Sequence, residues 1–170
     1  MNTYFIPILQ QVTTTSDAET LTAQIDHALE NLYQITNISM NELIDQNLSK
    51  EIGIEIKKSF HDHGMSWEHH EEVKSFFLGL KQELAKCKVI TLTLAYHPTE
   101  QHIKRLKEWC IKNIDDCIIF EIEHDTSIIG GAVIVMNGHY LDLSVKGKLD
   151  NYFESKGKIQ NENVKIAMQR

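Results

Sequence analysis

The first half of the chain has the hydrophobic period of amphipathic helices, because apolar residues recur every three or four positions. This period predicts three helices, over about residues 16–35, 39–64 and 67–86. Ser16 and Ser39 each precede a glutamate by three positions, a spacing typical of a helix-opening capping box. The apolar stripe of the first helix consists of Leu21, Ile25, Leu29 and Leu32. Such stripes must be buried, so we expect a helical bundle.

The second half alternates apolar and polar residues, which is the period of a half-buried strand. Alternation predicts strands over residues 89–94 and 118–122, with a helix that begins near Glu100 between them. Residues 132–136 are apolar on both faces, so this strand should lie inside the sheet.

A tight hairpin follows the third strand. The dipeptide Asn137-Gly138 favours a type I′ turn, since both residues adopt positive φ easily. The chain then returns along residues 139–145 and ends in a short helix over about residues 146–154. The predicted fold class is therefore α+β in two parts: an N-terminal amphipathic helical bundle, then a small α/β domain with a mixed sheet of about four strands.

The charge distribution supports a division into two parts. The 170 residues carry a formal net charge of −7, yet residues 1–85 contain five basic and thirteen acidic side chains, so the acidity belongs to the helical half. We place the domains at residues 1–85 and 86–155, followed by a polar tail over 156–170. An acidic chain with 42% apolar residues is neither disordered nor typical of a nucleic-acid-binding protein.

The cysteines and the longest apolar run exclude two further classes. Three cysteines without a CxxC pair, Cys87, Cys110 and Cys117, indicate reduced thiols that fill the core. The longest uncharged apolar run, residues 128–136, is nine residues long, whereas a membrane-spanning helix needs about 20. No direct membrane span is predicted.

A histidine cluster invites a metal hypothesis. His61, His63, His69 and His70 lie close together in the sequence, with acidic residues around them. Metal ligands on one helix converge when they are three or four residues apart, and no such pair of histidines occurs here. A solvated helix junction is the better interpretation, and we expect no metal site.

Catalytic and nucleotide-binding motifs are also absent from the sequence. Gly130-Gly131 leads into a strand, whereas a phosphate-binding glycine loop opens a helix. No serine or cysteine stands in the context of an activated nucleophile. We expect no catalytic residue and no cofactor.

Two linked runs in the second half resemble a known family. The first, DTSIIGG, begins at Asp125 and includes Gly130 and Gly131; the second, DLSVKGKL, begins at Asp142. Together they resemble the C-terminal signature of the F-type ATP synthase delta subunit, whose mitochondrial relative is the oligomycin-sensitivity-conferring protein. The resemblance covers about residues 67–155. The structural signature residues are Asp125, Gly130, Gly131, Gly138, Ser144 and Gly147.

The resemblance implies a non-catalytic stator subunit in the peripheral stalk. Such a subunit links N-terminal segments of the α subunits, and hence the α/β head, to the C-terminal helices of the b subunits. It implies a peripheral position at the cytoplasmic side of the inner cell membrane. The helix stripe Leu21, Ile25, Leu29 and Leu32 is then the candidate head-binding element.

Two other interpretations stay open at this stage. One is an unrelated adaptor protein that combines helices with an α/β domain. The other is a metal-dependent enzyme built on the cluster of His61 to His70.

Overall fold

A computed structural model describes residues 4–34, 40–67 and 69–153. Among these described residues, five α-helices precede the first strand, and a βαβ unit, a short 3-10 turn and a hairpin follow. The first elements are α1 (Ile6–Gln11), α2 (Thr15–Gln34), α3 (Met40–Asn47), α4 (Lys50–Asp62) and α5 (His70–Leu84). The next are β1 (Lys88–Leu94), α6 (Glu100–Asn113), β2 (Ile118–His124), β3 (Ala132–Met136) and β4 (His139–Asp142). Residues 145–153 form α7, up to the last described residue.

The helical part followed by an α/β region confirms the predicted fold class. The four strands form a mixed sheet in the order β2-β1-β3-β4. β3 is antiparallel to both of its neighbours and lies inside the sheet, as its apolar sequence predicts. Asn137 and Gly138 have φ values of 50° and 77°, so the predicted tight hairpin turn is confirmed.

The described residues fall into two compact units. Unit 1 comprises those up to Val89 together with Glu100–Glu121, and unit 2 comprises Ile90–Thr99 and those from Ile122 onward. The sequence-based bounds at 85 and 155 stay a prediction, and the tail over 156–170 lies outside the described residues.

Unit 1 has a continuous apolar core. The stripe of α2 is part of it: Leu21, Ile25 and Leu32 are buried, and Leu29 packs against them. Phe60 of α4 stacks on Trp67 with ring centroids 3.7 Å apart. The apolar stripe of α2 therefore faces the interior of the bundle, as expected for an amphipathic helix.

The helix boundaries of the bundle differ from the prediction in three places. Helix α1 was not predicted, because it is short and has a proline at its start. Proline is nevertheless tolerated in the first turn of a helix. The predicted helix over 39–64 is two helices, α3 and α4. It breaks at Ser49, whose ψ of 149° is extended, while Leu48 and Ile52 keep the apolar period across the break.

The start of α2 also differs from the prediction. The capping box is formed by Thr14 and Asp17, whereas the sequence indicates Ser16 and Glu19. The Asp17 carboxylate accepts the Thr14 amide at 2.8 Å, and the Thr14 hydroxyl accepts the Asp17 amide at 3.1 Å. Two overlapping Ser/Thr-x-x-acid patterns occur here, and the helix uses the earlier one. The second predicted box begins at Ser39, which lies outside the described residues.

The predicted state of the cysteines is wrong for two of the three. Cys87 and Cys117 form a disulfide with their Cα atoms 5.0 Å apart, and Cys110 is free and buried. Each bonded cysteine directly precedes a strand, Cys87 before β1 and Cys117 before β2. A βαβ unit brings the starts of two neighbouring strands together, so residues 30 positions apart in the sequence become neighbours.

A buried lysine holds the end of α1. Lys107 of α6 is 3% exposed, and its ammonium donates to the carbonyl oxygens of Leu9, at 3.1 Å, and Val12. Carbonyls at a helix C-terminus carry partial negative charge and attract a cation. Burial lowers the pKa of Lys107 from 10.5 to about 8, and the charge of Asp17 opposes this shift.

The α2 stripe supplies a first test of the core. Ile25 is 0% exposed, whereas Ile54 of α4 is 54% exposed, so the same truncation removes buried surface only at Ile25. We expect Ile25→Ala to lower the free energy of unfolding by about 2–5 kcal/mol, and Ile54→Ala by less than about 0.5 kcal/mol. Urea denaturation measures both changes. Equal decreases in the free energy of unfolding would show that Ile25 is not part of the core.

The buried ammonium predicts a pH dependence of stability. Between pH 8 and 10.5 the unfolded chain keeps the Lys107 proton more readily than the folded chain. The free energy of unfolding should therefore rise over this window, by about 1–3 kcal/mol relative to Lys107→Met. Denaturant unfolding of both proteins at several pH values measures the difference. Parallel curves would show that the Lys107 pKa is not lowered.

Candidate functional site

Two turns of the same type mark the two signature runs in unit 2. After β2, the Asp125 carboxylate accepts the Ser127 amide at 2.8 Å and the Ser127 hydroxyl at 2.9 Å. After β4, the Asp142 carboxylate accepts the Ser144 amide at 2.8 Å. Both are Asp-x-Ser turns, in which the short carboxylate side chain bonds the backbone two residues on. They explain why aspartate and serine recur at this spacing.

The second turn continues directly into α7. The Ser144 hydroxyl accepts the Gly147 amide at 2.9 Å, which is the hydrogen bond of a helix N-cap. Ser144 is 1% exposed, so this cap is buried. A Cβ on Gly147 would collide with the Asp142 carboxylate, and glycine thus lets the turn close against the helix.

Gly130 and Gly131 join the two signature runs. The Val145 amide donates to the Gly130 carbonyl at 2.8 Å, and the Leu143 amide donates to the Ala132 carbonyl at 2.9 Å. Gly131 has a φ of 86°, and a Cβ there would lie 2.5 Å from the Leu143 carbonyl oxygen. The glycine pair is therefore a close crossing of two backbone segments, and this crossing sets where α7 begins.

The electrostatics of the two turns depend on their hydrogen bonds. The hydroxyl and amide of Ser127 lower the pKa of the Asp125 carboxyl, and those of Ser144 lower the pKa of the Asp142 carboxyl. The positive charge of Lys146 lowers both values further. Both carboxyl groups bond to their own turns, an arrangement suited to shaping the backbone.

Helix α7 exposes apolar side chains on one face. Val145, Leu149, Tyr152 and Phe153 follow the spacing of a single helix face and are 43%, 44%, 51% and 65% exposed. Strand β4, at the edge of the sheet, also exposes Tyr140 and Leu141. Exposed apolar groups at helical spacing are typical of a surface that packs against another helix. We call Val145, Leu149, Tyr152 and Phe153 the α7 face.

Unit 1 contains a groove of about 640 Å³ beside α2 and the end of α5. The α2 wall includes Ala18, Thr22 and Ala23, and Leu84, Val89 and Ile119 supply further apolar lining. Lys81 and Asp26 form an ion pair of 2.5 Å among the lining residues. The groove was not predicted from the sequence, because helix prediction relies on the pattern of large apolar residues. The groove exists because the residues of α2 that line it are small. The signal is the run of alanine and threonine next to the buried stripe.

The histidine cluster does not gather into one site within the described ranges. Three histidines contact different groups through Nδ1: His61 contacts Asp62 at 3.4 Å, His63 the Ser59 carbonyl at 2.7 Å, and His69 Glu72 at 3.0 Å. The hydrogen bond from His69 lowers the pKa of Glu72. No group of three or more His, Cys, Asp or Glu among the described residues is placed to hold a metal ion.

The fold is of the two-part α+β class. It consists of a helical bundle and a small mixed sheet, and the helix that follows the sheet is capped by Ser144. The family model for the ATP synthase delta (OSCP) subunit matches residues 67–155, more than half of the chain, and includes both Asp-x-Ser turns. The chain belongs to the ATP synthase delta (OSCP) subunit family, which confirms the resemblance seen in the sequence.

A curated relative agrees with the family match. The ATP synthase subunit delta of Pelagibacter ubique (strain HTCC1062) is 38% identical over 58 residues, which are 34% of this chain and 31% of that relative. The aligned stretch thus spans about a third of the relative's length. In the part of the chain that the structure describes, no helix has the length and apolar character needed to cross a membrane.

The backbone crossing predicts unequal costs for two glycine substitutions. Gly131→Ala places a Cβ against the Leu143 carbonyl, whereas a Cβ at Gly138 meets nothing within 4 Å. Both positions have positive φ. We expect Gly138→Ala to cost about 1 kcal/mol, from backbone strain alone, and Gly131→Ala about 3 kcal/mol. Hydrogen exchange of the β3 and β4 amides measures both, and equal costs would contradict the crossing.

Proposed function

We propose that this chain is a non-catalytic stator subunit of an F-type ATP synthase, joining the α/β catalytic head to the b subunits of the peripheral stalk. The family match over residues 67–155 carries this proposal. A stator transmits force and needs two binding surfaces, with no reaction of its own. The hydrogen bonding of Asp125 and Asp142, which serves the backbone, is compatible with such a role.

The groove of unit 1 is the proposed site for an N-terminal segment of an α subunit. Its small and apolar lining suits the apolar face of a short amphipathic helix. The acidic side chain of Glu19 at the groove favours a segment with a basic residue. The stripe Leu21, Ile25, Leu29 and Leu32 contributes indirectly: it is packed in the core and holds α2 in place as one wall of the groove.

The α7 face is the proposed site for the C-terminal helices of the b subunits. Two aromatic and two aliphatic side chains supply the large exposed apolar area that helix packing uses. The Ser144 cap and the close backbone approach at Gly131 hold the start of α7 and so position the α7 face. In the assembled complex the chain would be peripheral, at the cytoplasmic side of the inner membrane.

The two proposed surfaces predict separable losses of binding. Ala23→Trp fills the groove, and Leu149→Asp places a charge on the α7 face. We expect the first to weaken binding of the α/β head, and the second that of the b subunits, each about 30-fold, as for loss of an interface hot spot. Each variant should keep its other partner. Pull-down and titration with purified head and purified b subunit measure the four affinities.

Ile54→Asp is the matched control, because Ile54 is exposed on α4 and lines neither surface. It should bind both partners like the unaltered protein. If the α, β and b subunits never accompany the unaltered chain when membranes are extracted at low detergent, the stator proposal fails. An unrelated adaptor would then be the better interpretation.

A further inference from the structure

We propose that Cys87 and Cys117 form a reversible redox brace. The disulfide holds the groove of unit 1 in shape, and a dithiol reductant releases it and weakens docking there. The docking part of this inference rests on the proposed function, whereas the redox part stands on the geometry of unit 1 alone.

The backbone around the pair keeps the two cysteines adjacent. Their Cα atoms are 5.0 Å apart, within the range that a disulfide spans without backbone movement. The Lys88 amide donates to the Cys117 carbonyl at 3.1 Å, and Lys88 and Asp115 form an ion pair of 2.6 Å. The Asp115 carboxylate also accepts the Cys117 amide at 3.1 Å. None of these contacts involves a sulfur atom, so they do not depend on the disulfide and should keep the two thiols placed to bond again.

Access to the bond is one-sided. Cys117 is 3% exposed, whereas Cys87 is half-buried and lines the groove. An incoming thiolate therefore reaches the sulfur of Cys87 from the groove. The partial exposure of Cys87 distinguishes this bond from one between two fully buried cysteines, because exchange rates depend on access.

The exchange balances with a dithiol of the thioredoxin class or with two molecules of glutathione. A reductant thiolate attacks the Cys87 sulfur, a mixed disulfide forms, and Cys117 leaves as a thiolate that takes a proton from water. A second reductant thiolate attacks the reductant sulfur of the mixed disulfide and releases Cys87. Two electrons pass to the protein, the reductant becomes a disulfide, and both cysteines end as thiols.

The bond joins two separate parts of the groove lining. On one side are Leu84, Ala85 and Val89, around Cys87; on the other is Ile119, two residues after Cys117. Cutting the bond leaves only the noncovalent contacts between these segments, so a ligand must then order them further as it binds. Pre-organisation of a site raises affinity by removing that cost, and loss of the brace should therefore lower affinity.

Thiol counting and thermal unfolding test the redox part. After air oxidation, denatured protein should show one reactive thiol, Cys110; after dithiothreitol it should show all three. In native reduced protein, alkylation should reach Cys87 before Cys117. Closing the 30-residue loop should raise Tm of unit 1 by about 10 °C. Three reactive thiols in oxidising glutathione buffer would overturn the proposal.

Two variants serve as controls. Cys87→Ser should show the lower Tm of the reduced protein under all conditions, without response to dithiothreitol. Cys110→Ala removes the free cysteine and should keep the full dithiothreitol response. A response that survives in Cys87→Ser, or that disappears in Cys110→Ala, would overturn the assignment of the brace.

The docking part is tested with a synthetic peptide of the α-subunit N-terminal segment. Fluorescence anisotropy should show binding to the reduced protein about 5-fold weaker or more, a coupling of ordinary size. Equal affinity for the oxidised and reduced forms would overturn control of docking. Binding to neither form would overturn the groove as the docking site, while the thiol count and the Tm shift would still support the brace.

Discussion

The close passage of Gly131 over the backbone of residues 143 and 144 is the constraint on which the signature region depends. A side chain at this position would meet the carbonyl oxygen of Leu143, which lies inside the second Asp-x-Ser turn. Because the passage is tight, the Gly130 carbonyl receives the Val145 amide, and Ser144 is positioned to cap α7. The position of the α7 face therefore follows from a contact between the glycine pair and the turn that begins at Asp142. The two signature runs are therefore parts of one structural feature, the backbone crossing that precedes α7.

The two units contain different kinds of surface, and the difference suits a connecting role. Unit 1 contributes a concave groove whose shape depends on small side chains of α2 and on the segments joined by the disulfide. Unit 2 contributes an exposed helix face with large apolar side chains, including Tyr152 and Phe153. A groove accepts a short helix, and a convex apolar face packs along a long one. In the proposed stator role, each of the two partners would use its own unit.

Much of the fold could be predicted because periodicity is a local property. The three main apolar stripes of the bundle, the interior strand β3 and the turn at Asn137 and Gly138 all follow from neighbouring residues. Three features could not be read this way. The break at Ser49 leaves the apolar period intact, helix α1 is too short to show one, and the pairing of Cys87 with Cys117 depends on the crossover through α6. The groove was also not predicted, because it depends on small side chains, which the hydrophobic period does not reveal.

The proposed function assigns binding of the head to unit 1 and binding of the stalk to unit 2. The most direct measurement is site-specific photo-crosslinking in the assembled membrane complex, with the photoreactive side chain at Thr22 in the groove or at Leu149 on the α7 face. Thr22 should crosslink to an α subunit and Leu149 to a b subunit, each identified by mass spectrometry. Crosslinks from both positions to one subunit, or to no ATP synthase subunit at all, would contradict this assignment.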